Sequence, residues 1–178
     1  ARESGRPIVF TCTQRHDRPN FWKDLMKMSL DAKKEGLSIR PVVPPRPIGL
    51  LFGLDGSQNP FSGTKTYKSL AHLPLDERVR ELKKDSIKEK ILSEDRLKYS
   101  VFPLIHRISF SQMYRFGSPP DYNPSKEKSI EAMASQEHRT SEDLAYDVLL
   151  ENQGKNFIYA PLVNYSNNTF DVCYEMLK

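Results

Sequence analysis

The chain has 178 residues, of which 38% are hydrophobic and 28% are charged. That balance is typical of one globular domain and excludes a disordered chain. No apolar run approaches the roughly 18 residues that a membrane-spanning helix needs, and a charged-then-apolar leader is missing from the start of the sequence. The sequence therefore predicts a cytoplasmic protein without a membrane partner.

The net charge of +4 permits a nucleic-acid partner. Basic and acidic residues alternate along the chain, however, as in LPLDERVRELKKDSIKEKILSEDR at residues 73–96. This pattern indicates solvated helix faces, so the sequence predicts no nucleic-acid partner and keeps a nucleic-acid module only as a third hypothesis. Cys12 and Cys173 lie far apart in sequence and make neither a closely spaced metal pair nor a disulfide framework.

The first part of the chain predicts a strand, a helix and a second strand. Residues 6–13 are β-branched and apolar, which is typical of a buried strand. Asn20 is placed to cap a helix that ends at Gly36, where a left-handed residue is expected. One face of that helix is apolar and carries Trp22, Leu25, Met26 and Leu30. With a second strand at residues 37–43, the order is that of a right-handed parallel crossover unit.

A long segment separates the second strand from the next predicted strand, at residues 157–163. Residues 75–92 have helical spacing, and Asp85 is placed to cap a break within them. Residues 98–116 mix β-prone and aromatic residues and leave their state open, whereas residues 117–125 have the composition of a loop. Because about a hundred residues are too many for an ordinary connection between strands of one layer, this segment is expected to be a subdomain or lid.

The remaining residues predict helix, helix, strand and helix. Ser125 is placed to cap a helix over residues 126–136. Thr140 begins a second helix, which Gly154 ends. Residues 157–163 form a strand, and a loop and another helix follow. We expect the strands near Ile8, Ile39 and Phe157 to lie side by side and to point the same way.

Polar side chains follow these strands at their C-terminal ends, where parallel sheets hold their functional groups. Cys12 and His16 can bind a metal, with a buried apolar-like Cys and a solvated His as the alternatives. Arg46 lies between two prolines, and this stiff backbone suits carboxylate recognition, unless Arg46 is simply a surface residue. Asn164 and Tyr165 either orient a substrate or merely close the strand.

The other histidines are assigned no chemistry, because His72, His106 and His138 have no ligand spacing. The chain also contains no Gly-rich phosphate loop, nucleophile elbow or paired-Cys motif. Spacing alone therefore names no reaction.

Several longer stretches resemble one enzyme family. SPPDYNPSKEKSIEAMASQ, TSEDLAYDVLLENQG and NFIYAPLVNYSNNTFDVCYEML are similar, in order and spacing, to the later part of N-acyl-D-amino-acid deacylases and their relatives in the amidohydrolase superfamily. The earlier RPIGLLFGLDGSQNPF and YKSLAHLPLDERVREL resemble the same relatives. The resemblance covers nearly the whole chain, and its stretches mark the lid and helices more than the metal centre.

The resemblance implies a (β/α)8 barrel with one or two zinc ions at its C-terminal mouth, where the metal activates a water that attacks an amide carbonyl. It implies a small substrate with amide and carboxylate groups, such as an N-acyl-D-amino acid. It also implies that the chain is an excerpt running from about the sixth strand to just before the eighth. The catalytic residues would then lie outside the chain, and its partner would be the remainder of the same polypeptide.

Two departures from the family pattern concern the site. The deacylases carry Ser-His-His-Lys after the sixth strand, whereas this chain has TCTQ, with Cys12 nearest to the metal-binding His and His16 four residues later. The family's Tyr-Pro-Tyr is replaced by residues 43–45, Val-Pro-Pro, which leaves Arg46 as the available polar group. The first departure favours an alternative: a non-catalytic binding or regulatory protein that retains the barrel scaffold.

The expected fold class is therefore α/β, namely a partial (β/α)8 amidohydrolase (TIM-type) barrel with a long, mostly helical lid insertion. Residues 1–51 form the barrel strand-helix-strand unit, and residues 52–122 form the lid, with hinges at Gly49 and Gly53. Residues 123–178 contain helices, a barrel strand and a following helix.

Overall fold

Helices and two small sheets make up the computed structural model, which describes residues 1–98 and 108–178 and confirms the α/β class. Its strands are β1 (Ile8–Thr11), β2 (Ile39–Val42), β3 (Ile48–Gly53), β4 (Tyr114–Phe116) and β5 (Phe157–Val163). Its helices are α1 (Phe21–Lys34), α2 (Lys65–Leu70), α3 (Leu75–Leu82), α4 (Asp85–Ser93), α5 (Ile130–Gln136), α6 (Ser141–Gly154) and α7 (Asp171–Leu177). No helix in these two ranges is long and apolar enough to cross a membrane.

The chain divides into two compact units. The terminal unit combines Ala1–Gly49 with Pro161–Lys178, and the central unit is Leu50–Ala160. Each unit has its own apolar core.

The predicted crossover unit is confirmed in the terminal unit. Strands β1 and β2 pair in parallel, with Ile8 opposite Ile39, and α1 connects them. The prediction that β1 is buried is wrong, since Val9 is 63% exposed. A sheet of two strands leaves one face of β1 uncovered. Successive side chains point to opposite faces, so Phe10 and Cys12 point towards the core while their neighbours point away from it.

Helix α1 begins and ends close to the predicted residues. Gly36 has the expected left-handed backbone, with φ of 77°. The predicted cap is wrong: the side chain of Asn20 makes no capping hydrogen bond, because its backbone already has helical angles. The apolar face is narrower than predicted. Trp22 is buried in the core of the terminal unit, whereas Leu30 is 60% exposed.

The central unit packs α2 to α6 around one apolar core. The predicted break between α3 and α4 is present, but Asp85 is the first helical residue and Lys84 occupies the capping position. Ser125 is not the cap of α5. Lys126–Lys128 form a short 3-10 turn instead, and the Ser129 hydroxyl accepts a hydrogen bond from the amide of Ala132 at 3.2 Å.

The Thr140 cap is confirmed, because its hydroxyl accepts a hydrogen bond from the amide of Asp143 at 3.2 Å. Helix α6 ends in a run of non-helical residues before Gly154, which has φ of 79°. A Cβ atom on Gly154 would lie 2.4 Å from Cγ2 of Val79. Only glycine therefore fits where α6 ends against α3.

The strand at residues 157–163 is confirmed, but its predicted place beside β1 and β2 is wrong. Strand β5 lies between β3 and β4 in a separate three-stranded sheet and runs antiparallel to β4, with Tyr114 opposite Tyr159. Its last residue, Val163, contacts the β1 side only through an isolated antiparallel bridge to Arg15. The described strands thus form two small sheets, and the (β/α)8 barrel remains a prediction.

The segment at residues 98–116, whose state the sequence leaves open, is described only in part. Its residues 108–116 contain a 3-10 turn (Phe110–Gln112) and β4. His106, to which no chemistry is assigned, lies outside the described residues. Residues 117–125 contain no helix or strand, as predicted.

Candidate substrate-binding site

The residues that follow β1 and β5 meet in the terminal unit. The amide of Asn164 donates a hydrogen bond to the carbonyl oxygen of Gln14 at 2.9 Å, and the amide of Gln14 donates one to Oδ1 of Asn164 at 2.7 Å. Both residues are buried. The two chain segments are therefore joined by a reciprocal pair of hydrogen bonds, which we call the Gln14–Asn164 clamp.

Asn164 has a left-handed backbone, with φ of 63°. Asparagine tolerates this conformation better than most residues, because its short polar side chain bonds locally. The carboxamide of Asn164 contacts two other segments. Its Nδ2 lies 3.5 Å from the carbonyl oxygen of Arg46, and its Oδ1 accepts a hydrogen bond from the amide of Gln14. One side chain thus contacts segments that follow two different strands.

The side chain of Gln14 extends the clamp towards the next turn. Its Oε1 accepts a hydrogen bond from the amide of Ser166 at 3.1 Å. Gln14 is not among the predicted site residues, although a usable signal exists. Phe10, Cys12 and Gln14 alternate, and the alternation that places Phe10 and Cys12 in the core also directs Gln14 inward.

The predicted metal ligand Cys12 lies in the apolar core. It is fully buried in a cluster with Trp22, Cys173 and Met176. Burial raises the pKa of the Cys12 thiol, so it stays protonated at neutral pH. Burial also raises the pKa of Cys173, and a hydrogen bond with Asn164 opposes that shift in part. The role of Cys12 as a metal ligand stays a prediction.

His16, the second predicted metal ligand, is half-buried beside β5. Its Nε2 lies 3.3 Å from the carbonyl oxygen of Pro161, so the tautomer that carries a proton on Nε2 can donate to it. The neighbouring Arg15 pairs with Asp17 through two hydrogen bonds of 2.8 and 2.7 Å. The hydrogen bond from Arg15 is the main cause of the lowered pKa of Asp17.

The predicted substrate contacts are brought together in part. The backbone carbonyl of Arg46 reaches Asn164, while Arg46 itself is exposed. Tyr165 is 2% exposed and directly follows Asn164. Whether any of these groups contacts a substrate stays a prediction.

A polar cavity adjoins the clamp. It has a volume of about 250 Å³, and Gln14 lines it together with Asn20, Trp22, Lys23, Asn167, Thr169, Asp171, Val172 and Glu175. The ammonium of Lys23 lies 5.5 Å from the centroid of the Trp22 ring. The sequence does not predict this cavity, because its lining comes from residues 14–23 and 167–175, which are distant in sequence. Its carboxylates and amides suit a small polar ligand.

The described residues do not fit a complete zinc site. Zinc needs three or four nitrogen, sulfur or oxygen ligands around one point. Within residues 1–98 and 108–178, no group of three or more His, Cys, Asp or Glu side chains is arranged to hold a metal. No family model, curated protein or solved structure matches this chain.

Proposed function

We propose that this chain is part of a metal-dependent amidohydrolase that hydrolyses linear amides, such as N-acyl-D-amino acids. The proposal rests on the resemblance of five stretches to N-acyl-D-amino-acid deacylases. Under it, the general base and the zinc ligands other than the predicted Cys12 and His16 belong to the remainder of a longer polypeptide. The residues described here contribute the wall of the substrate site.

The observation that carries the proposal is the Gln14–Asn164 clamp. It gathers polar groups that follow β1 and β5. The end of β1 belongs to the parallel β1–β2 pair, and α/β enzymes hold their substrates at the C-terminal ends of parallel strands. A buried clamp fixes the backbone between Asn164 and Ser166. That rigidity holds Tyr165 in place, as a substrate-positioning residue requires.

Arg46 is the proposed carboxylate-binding residue. Pro45 and Pro47 flank it and restrict its backbone. Its guanidinium can form two parallel hydrogen bonds with the carboxylate of an acylated amino acid. The (β/α)8 barrel, and a lid formed by residues 52–122 that excludes water from the reacting amide, belong to the same proposal.

The direct test is hydrolysis of N-acetyl-D-methionine and N-acetyl-L-methionine by the full-length protein. The proposal expects turnover, and it expects Arg46→Ala to raise KM for these substrates much more than for an amide that lacks the carboxylate. Arg6→Ala is the matched control, because Arg6 is also exposed but precedes β1. Equal KM values for wild type and Arg46→Ala would remove the assigned role of Arg46. If neither enantiomer is hydrolysed in the presence of added zinc, the proposal that the full-length protein is an amidohydrolase is contradicted.

The second candidate is a non-catalytic binding protein that retains the scaffold. The burial of Cys12 favours it, because a protonated thiol in an apolar core occupies the position at which the family has a metal-binding His. This candidate expects the full-length protein to bind N-acyl amino acids, as calorimetry can measure, without hydrolysing them. Hydrolysis that is lost on chelation and restored by zinc would exclude it.

A further inference from the structure

An apolar groove lies between α1, β2 and α7 in the terminal unit, and we call it the α1–α7 groove. Its volume is about 790 Å³, within the range of roughly 300–1,000 Å³ that small-molecule sites have. Trp22 and Met176 form a buried floor, and Met26, Leu37 and Ile39 form half-buried walls. The groove is distinct from the Gln14–Asn164 clamp.

The rim of this groove is basic. Lys33, Arg40 and Lys178 line it, against a single acidic residue, Glu175. Lys33 and Arg40 are exposed, and neither forms an ion pair with any residue in the described ranges. Elsewhere on the same helix, Lys34 is paired with Asp31 at 2.9 Å. Two cations without an ion pair therefore lie beside the apolar floor.

We propose that the α1–α7 groove binds a single-chain anionic amphiphile, in which an apolar chain lies on Trp22 and Met176 and a carboxylate faces Lys33 and Arg40. An apolar chain gains by leaving water, and the basic rim selects the sign of the head group. The floor is recessed, since Trp22 is 8% and Met176 is 4% exposed. A recessed floor takes one free molecule, whereas binding to a membrane surface needs a protruding apolar face.

The chain provides its own reporter. Trp22 is the single tryptophan of the sequence, so its fluorescence reports on the groove floor. The full-length protein is titrated with dodecanoate below its micelle concentration, and separately with dodecanol and dodecyltrimethylammonium. If the full-length protein contains further tryptophans, they are first replaced by phenylalanine. The proposal expects a saturable change with dodecanoate and at least roughly tenfold weaker binding of the cationic amphiphile.

Two variants make the test specific. Lys33→Glu/Arg40→Glu is expected to weaken dodecanoate binding by roughly tenfold or more. The control Lys27→Glu/Lys83→Glu changes the net charge equally at exposed residues outside the groove and is expected to bind as wild type. Circular dichroism verifies that both variants are folded. Because Trp22 also lines the polar cavity, Asn167→Ala, which alters only that cavity, is expected to leave the titration unchanged.

Three results would overturn the proposal. The first is equal affinity for dodecanoate and dodecyltrimethylammonium, which would indicate non-selective apolar binding. The second is equal dodecanoate affinity in the rim variant and its control. The third is the absence of a saturable change, which would show that the groove is not open to a free amphiphile. A dodecanoate response seen only in the presence of vesicles would identify a membrane surface instead.

Discussion

Gln14 and Asn164, which are 150 residues apart in sequence, hydrogen-bond to each other twice, once between main chains and once from the Gln14 amide to Oδ1 of Asn164. This clamp joins the first and last segments of the terminal unit. A third bond, from the Ser166 amide to Oε1 of Gln14, continues it.

Removing the Asn164 side chain leaves the buried amide of Gln14 without its acceptor. Asn164→Ala is therefore expected to lower the free energy of unfolding by about 1–3 kcal/mol beyond the cost of its left-handed backbone. Asn168→Ala is the matched control, because Asn168 is also left-handed, with φ of 55°, but is less buried. Urea unfolding measures both. Equal losses would mean that the clamp adds no stability.

Gly154 is expected to resist substitution for steric as well as backbone reasons. Gly154→Ala places a Cβ atom 2.4 Å from Cγ2 of Val79 and 3.3 Å from Cδ1 of Leu54. Gly36→Ala has a similar φ, 77°, but nothing within 4 Å of the added atom. The free energy of unfolding of the Gly154 variant is expected to be lower than that of the Gly36 variant by about 1–3 kcal/mol, the cost of overpacking. Its melting temperature is expected to be lower as well. Similar melting temperatures would contradict the close approach of α6 to α3.

Asp143 is expected to make the stability of the central unit depend on pH. Partial burial raises its pKa, but hydrogen bonds and charges of Lys88 (2.6 Å) and Arg139 (2.7 Å) outweigh this and lower it overall. The unfolded pKa of Asp is about 3.9. Because the pKa of Asp143 is lower in the folded chain, its ion pairs contribute fully to stability above the unfolded pKa. This contribution is lost as pH falls through the folded pKa.

The midpoint of urea unfolding, measured at a series of pH values from 7 down to 2, checks this dependence. Asp143→Asn is expected to remove part of the decline at low pH. Asp31→Asn is the control, because Asp31 pairs with Lys34 at 2.9 Å on the solvent-exposed surface and contributes little. If both variants decline as steeply as wild type, Asp143 does not contribute to acid sensitivity.

Both cysteines are expected to be unreactive in the folded chain. Cys12 is 0% and Cys173 is 1% exposed, and burial raises the pKa of each thiol. An aromatic disulfide reagent at pH 8 should therefore modify them only as fast as the protein opens, and rapidly in denaturant. Immediate modification of one thiol per chain under native conditions would show that Cys12 or Cys173 is accessible and would contradict this expectation.

The proposed lid at residues 52–122 is expected to become more resistant to protease when a substrate analogue is bound to the full-length protein. Closure over a ligand slows local opening and hence cleavage. Cleavage after Lys33 and Lys34 of α1, outside the lid, serves as the internal control. Equal cleavage of the lid segment with and without ligand would contradict a lid.

Local patterns in the sequence predict the first crossover unit well. The β-branched run near Ile8, the helix that ends at Gly36 and the run near Ile39 form a parallel β1–α1–β2 unit. Thr140 and Gly154 also define α6 correctly, because a capping hydroxyl and a left-handed glycine act within a few residues.

Non-local partners could not be predicted in the same way. The run at residues 157–163 has the composition of a strand in any sheet, and its pairing with β3 and β4 places β5 in the second sheet. Similarly, no spacing rule connects Gln14 with Asn164, since their contact depends on the tertiary fold. The burial of Cys12 and the cavity beside Lys23 also depend on contacts between residues that are distant in sequence.

The most direct test of the amidohydrolase proposal is a zinc titration of the full-length protein. The protein is stripped with a chelator and mixed with N-acetyl-D-methionine, and hydrolysis is followed as zinc is added. The account predicts no hydrolysis in the stripped protein and a rate that rises to a plateau at one or two zinc ions per chain. A protein that binds the substrate but shows no hydrolysis at any zinc concentration would contradict it.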